Sequence, residues 1–115
     1  MSEGKHRLRV THGGRFYSHD LGFLTTVGEL KNHLAQYHCF TASNIVIALD
    51  ESIYTVLTDY DYVFQKAPKT GEFYELYMAL NIEIYLRNML NNEPGSELKL
   101  TVKDVELIFV AVQRH

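Results

Sequence analysis

The hydrophobic period changes once between Lys5 and His38, and that change limits the folds open to the chain. Along KHRLRVTH, Leu8 and Val10 alternate with Arg7, Arg9 and Thr11. This is the period of two expected of a strand with one apolar side. Gly13-Gly14 supplies two residues able to take the positive φ of a tight turn, and RFYSHDLGF resumes the strand. A hairpin is predicted. After Gly22, Val27, Leu30, Leu34 and Tyr37 recur at helical spacing. Thr26 stands at the N-cap position and Glu29 three residues on, so each side chain can bond the other's backbone N–H. The spacing predicts a helix over 26–38.

Beyond the loop TASN, NIVIALD is rich in β-branched residues and predicts a strand; ESIYTVL predicts another, with Asp50-Glu51-Ser52 turning between them. A short helical turn is expected before Pro68, then a strand within KTGEFYELYMAL. Ile82, Tyr85, Leu86, Met89 and Leu90 predict an amphipathic helix over 81–92. NNEPGS is a turn, and LKLTV and VELIFVAV read as strands, the second apolar enough to be buried on both faces. The fold class is therefore α+β. The 115 residues fit one domain, 1–115, whose core includes Leu8, Val10, Val27, Leu30, Leu34, Ile45, Ile47, Leu107 and Phe109.

Charge is unevenly spread. Residues 1–20 hold Lys5, Arg7, Arg9 and Arg15 against Glu3 and Asp20; residues 41–83 hold seven acids against Lys66 and Lys69. The net charge of −3 speaks against general nucleic-acid binding. No apolar run is long enough for a membrane span, and a lone cysteine, Cys39, fits a reducing compartment, cytoplasmic or nuclear.

KHRLRVTHGGRFYSHDL, TTVGELKNHL and TASNIVIALDES follow one another as hairpin, helix entry and third strand. In that order they resemble the ubiquitin-like, or β-grasp, superfamily, with APKTGEFYELYMAL as the closing strand. The resemblance covers residues 5–80. It leaves 81–115 as a helix-and-strand extension that completes the sheet or mediates association. It implies a first strand placed centrally beside the closing one, and protein binding rather than catalysis. Modifiers and sulfur carriers of the superfamily end in Gly-Gly, whereas this chain ends VAVQRH. In many ubiquitin-like domains the outward side of the third strand binds partners, which here puts forward Val46; the hairpin turn carries His12 where those domains have an aliphatic residue. The Phox/Bem-type branch of the superfamily binds front to back. By that analogy Lys5, Arg7 and Arg9 form a basic face, and Asp50, Glu51, Asp59 and Asp61 an acidic one. The expected function is a non-enzymatic interaction domain that binds a protein partner or itself, as a homo-oligomer, and needs no cofactor. The alternative is a small ferredoxin-like α+β enzyme or ligand binder with a pocket between helix 26–38 and the C-terminal tail.

Residue by residue, the chemistry points the same way. His33 and His38 lie five residues apart, about 500° around a helix, and so do not share a face as i, i+4 metal ligands do. With one cysteine, a closed zinc site is not expected, and His33, His38 and Cys39 are read as sharing no chemistry. Ser18-His19-Asp20 cannot converge as a triad, because neighbours on a strand alternate faces. Of the eight tyrosines, five (Tyr54, Tyr60, Tyr62, Tyr74 and Tyr77) fall in the acidic half, as edge-of-core residues or as an aromatic interaction patch.

Overall fold

The structure is a computed structural model, and it describes residues 4–91. The hairpin forms as its alternation dictates, with β1 at Lys5–His12 and β2 at Arg15–Gly22, antiparallel from Lys5↔Gly22 to His12↔Arg15. Gly13 and Gly14 take φ of 55° and 89°. Positive φ at both central residues is the pattern of a type I′ turn, whose twist matches the flanking strands. Helix α1 spans Val27–His38 and carries the expected capping box: the Glu29 N–H donates to Thr26 Oγ1, and the Thr26 N–H donates to Glu29 Oε1. It ends at Cys39, in the left-handed region at φ 60°.

The first N–H groups of α1 also find partners in a distant loop. Val27 donates to the Asp61 carbonyl at 2.8 Å and Gly28 to the Asp59 carbonyl at 3.0 Å. A Cβ at position 28 would sit 3.3 Å from that Asp59 oxygen, so this close approach favours glycine. Loop carbonyls thus satisfy donors that every helix N-terminus leaves open.

Strand β3 is Ile45–Ala48, α2 is the single turn Val63–Lys66, β4 is Lys69–Thr70 and β5 is Phe73–Leu80. The sheet order is β2-β1-β5-β3, with β4 beside the start of β5. β1 runs parallel to β5 (Leu8↔Tyr74 to Thr11↔Tyr77), and β3 runs antiparallel to it (Ile45↔Leu80 to Ala48↔Tyr77). The first strand is central and beside the closing one, as the resemblance implies, and the ferredoxin-like topology is set aside. Leu8, Val10, Ile45, Ile47, Leu76 and Met78 face α1, where Val27, Leu30 and Leu34 meet them in one core with Leu21, Leu57, Val63 and Phe64. Leu107 and Phe109, expected in this core, and the strands expected within 97–112 lie outside the described residues.

Two expectations are corrected. ESIYTVL does not form a strand; it keeps only an isolated bridge, Ala48↔Val56. The Asp50 carboxylate accepts from the Tyr54 and Thr55 N–H groups, which folds the segment back on itself. Ile53 sits inside this turn at φ 58°, a strained setting for a β-branched residue, with its side chain buried against Ala48 and Ala79. The second correction concerns α3, Asn81–Asn91. The helix is where the periodicity places it, but Ile82, Tyr85 and Met89 are exposed, while Glu83 and Arg87 are buried.

Leu34→Ala removes a side chain with no exposed surface at the centre of the core. It is expected to cost about 2–5 kcal/mol in chemical denaturation. A loss under roughly 0.5 kcal/mol would mean that this face of α1 is not in the core.

Candidate functional site

The sheet has two faces with different fates. One packs on α1. On the other, alternation brings out Lys5, Arg7, Arg9 and Thr11 of β1, Phe16, Ser18 and Asp20 of β2, Phe73, Glu75, Tyr77 and Ala79 of β5, and Val46 and Ala48 of β3. Helix α3 covers part of this outer face. It begins at the residue after β5 ends, so its phase is set by the strand. Ile84 packs with Val46 and Tyr77 over the small cluster Ala48, Ile53 and Ala79. The Glu83 Oε1 atom accepts the Leu80 N–H at 2.7 Å, half a capping box, and lies 2.8 Å from Nε2 of His12. Glu83 Oε2 is buried without a hydrogen-bond partner. Arg87 lays its guanidinium 4.6 Å from the Tyr54 ring centroid and donates to the Ser52 carbonyl. Helix α3 is thus anchored largely by buried charged groups. His12, the departure noted in the hairpin turn, is part of that anchorage.

The β1–β2 half of the outer face carries a band of cations and aromatics. The Arg9 guanidinium lies 4.9 Å from the Phe16 ring and 5.5 Å from the Phe73 ring, and Arg7 lies 5.8 Å from Phe73. Arg9 pairs with Glu75, its β5 neighbour. Arg7 and Asp20 form a two-pronged pair with contacts of 3.0 and 3.4 Å. The hydrogen bond from Arg7 holds the Asp20 carboxyl below its ordinary range. Phe16 is 61% exposed, a large apolar ring set beside charge. Beyond Arg7, a depression of about 390 Å³ is lined by Lys5, Asp20, Lys69, Glu72 and Phe73, among others.

The structure therefore brings Lys5, Arg7 and Arg9 onto one face, as expected for a basic first strand. Phe16 and Phe73 join them there through the β2 and β5 registers. Val46 does face outward, but beneath the cluster that α3 helps to cover. The acidic residues are scattered. Asp50 accepts backbone N–H groups, Asp61 accepts from Thr58 N and Oγ1, and Asp59 pairs with Lys31 at 2.6 Å. Glu51 is exposed on the loop after β3.

The reading that His33 and His38 share no chemistry is corrected. His33 and His38 do share a partner, because His19 on β2 lies between them. Nε2 of His33 is 3.0 Å from Nδ1 of His19, whose Nε2 is 2.6 Å from Nε2 of His38. Residues out of phase on a helix can still straddle a third side chain on the sheet. The two nitrogens of His19 point to different neighbours, so the three rings do not converge on one point. Among the described residues no group of three or more His, Cys, Asp or Glu has metal-binding geometry.

No family model matches the sequence, and neither does any curated protein. Solved structures do match. The N-terminal ubiquitin-like domain of the 4931431F19Rik protein superposes with a TM-score of 0.56 at 18% identity, over 69% of this chain and 77% of that one. The fold is that of ubiquitin-like domains. The ubiquitin-like domain of Arabidopsis thaliana protein At2g32350 gives 0.54 at 17% identity, over 68% of this chain and 79% of that one. ATBAG1, solved in complex with HSP70, gives 0.54 at 13% identity, over 73% of this chain and 46% of that one. In this ubiquitin-like fold, α3 lies on the outward side of the third strand and leaves the β1–β2 half of the face open among the described residues.

Arg87→Ala removes the donor to the Ser52 carbonyl. It is expected to destabilise by about 1–3 kcal/mol, the cost of losing a charged donor and orphaning an acceptor. Hydrogen exchange should speed up first in α3, with β1 and β5 still protected; uniform loss of protection would contradict a local anchor. A chelator is expected to leave the melting temperature unchanged. A large drop restored only by zinc would instead assign a metal to the histidines.

Proposed function

We propose that this domain is a non-enzymatic protein-interaction module, and that its contact surface is the outer face of the β1–β2 hairpin. The observation that carries the proposal is the Phe16–Arg9–Phe73 stack. Arginine and aromatic side chains dominate interface hot spots. A guanidinium held between two rings and tied to Glu75 has little freedom left to lose on binding. The partner of stated chemistry is an acidic protein segment, with an apolar residue to cover Phe16. Lys5, Arg7 and Arg9 supply the attraction. The neighbour ATBAG1 is seen with HSP70, a protein partner, and the shared fold supports a module that binds proteins.

Self-association is the self-complementary form of the same proposal: Asp50, Glu51, Asp59 and Asp61 of one copy would meet Lys5, Arg7 and Arg9 of the next. Front-to-back contact of this kind builds chains unless it closes into a ring. Because Asp50, Asp59 and Asp61 already hold local partners, a separate acidic protein is favoured.

A random peptide library panned on the domain is expected to enrich acidic sequences. Arg7→Glu with Arg9→Glu should abolish their binding, and Phe16→Ala should weaken it about tenfold. Light scattering at low and high salt separates the two forms, since exposed ion pairs weaken as the Debye length shrinks from ~10 Å at 0.1 M to ~3 Å at 1 M. Selected peptides whose amide shift changes map to another face would overturn the proposed surface.

A further inference from the structure

His19, His33 and His38 form an unbroken row of imidazoles between β2 and the C-terminal half of α1. Each contact needs one N–H facing one lone pair. Four ring nitrogens face one another across the two contacts, so two N–H groups fill them. When all three rings are neutral, His19 has one N–H and its neighbours choose their tautomers to match. One added proton is also accommodated: an imidazolium at His19 donates to both sides. A second added proton puts three N–H groups on four facing nitrogens, whichever two rings carry the charge. One N–H must then point at another across 2.6 or 3.0 Å, and that contact opens.

We propose that this row is a pH-sensitive clasp, which fastens α1 to β2 while it holds at most one extra proton and releases when a second enters. The surroundings do little to neutralise the added charge. On β2, Asp20 favours protonation of His19, but its carboxylate is already bound to Arg7, and the Tyr17 ring lies tilted, 4.3 Å from His38. On β1, Lys5 opposes a proton on His33. On α1, Tyr37 lies 4.5 Å from His33, and Glu29, one turn earlier, is tied to Thr26. Cys39 follows His38 at the helix end.

Burial first, and then the neighbouring imidazoles, lower the pKa of His19; burial, His38 and Lys5 lower that of His33. The sign follows. As pH falls below the ordinary histidine value of about 6.5, the unfolded chain takes up protons that the folded one refuses. Stability is therefore full above that value and is lost as pH drops.

Urea unfolding of the wild-type protein and of His19→Gln at pH 7 and pH 5 tests this. Glutamine keeps a donor and an acceptor but cannot titrate. The wild-type unfolding constant is expected to rise about tenfold or more over this range, because each proton bound only by the unfolded chain changes it tenfold per pH unit. His19→Gln should lose most of that rise; His6 and His12 are common to both proteins and cancel in the difference. Equal pH dependence in the two proteins would overturn the clasp. If His19→Gln fails to fold, imidazole NMR of the wild-type protein decides. One shared proton uptake, followed by faster amide exchange in α1 and β2, is the expected result. Three independent titrations near 6.5 with no change in α1 or β2 would sink it.

Discussion

The parallel pairing of β1 with β5 is the constraint on which the rest depends. Two strands can pair in parallel only if the chain crosses back over the sheet, and α1 with the following loops makes that crossing. The pairing puts Leu8 beside Tyr74 and Val10 beside Leu76, in one core with Leu30, Leu34 and Met78. It also puts Arg9 opposite Glu75 on the other side. One register thus builds the apolar core and the polar outer face together. A slip of one residue would exchange them, turning Leu8 outward and Arg9 into the core.

Helix α3 divides that outer face. Over β3 and β5 the sheet is partly covered, through a small apolar cluster and two buried charged side chains. Among the described residues it stays open over β1 and β2, and there the charges are paired along the surface. Exposed pairs such as Arg7–Asp20 contribute little to stability, typically under about 1 kcal/mol. Their main effect here is to fix guanidinium groups against Phe16 and Phe73.

What could be read from the sequence was what is local. Thr26 with Glu29, Gly13-Gly14, and the alternation of Leu8 and Val10 each act within a few residues, and each forms as expected. What was missed depends on contacts far apart in the chain. The apolar stripe of α3 suggested Ile82, Tyr85 and Met89 as its inner side, yet its phase follows β5 and is held by Glu83 to His12, 71 residues away. Position 53 looked like strand because isoleucine favours strands; the Asp50 side chain turned the segment instead. His33 and His38 looked unrelated on a helical wheel because the wheel omits His19. The basic first strand was legible as charge, but its aromatic neighbours came together only through the β2 and β5 registers.

The junction at Leu80–Asn81, where strand passes into helix without a linker, has a mechanical meaning. Tension reaching α3 from its far end is delivered straight to the central strand. Opposed by a pull on the start of β1, it acts along two parallel neighbours in opposite directions. The hydrogen bonds between Leu8–Thr11 and Tyr74–Tyr77 are then loaded in shear, together, rather than peeled one at a time. A domain strung between two partners in this way would resist stretching far better than its equilibrium stability suggests.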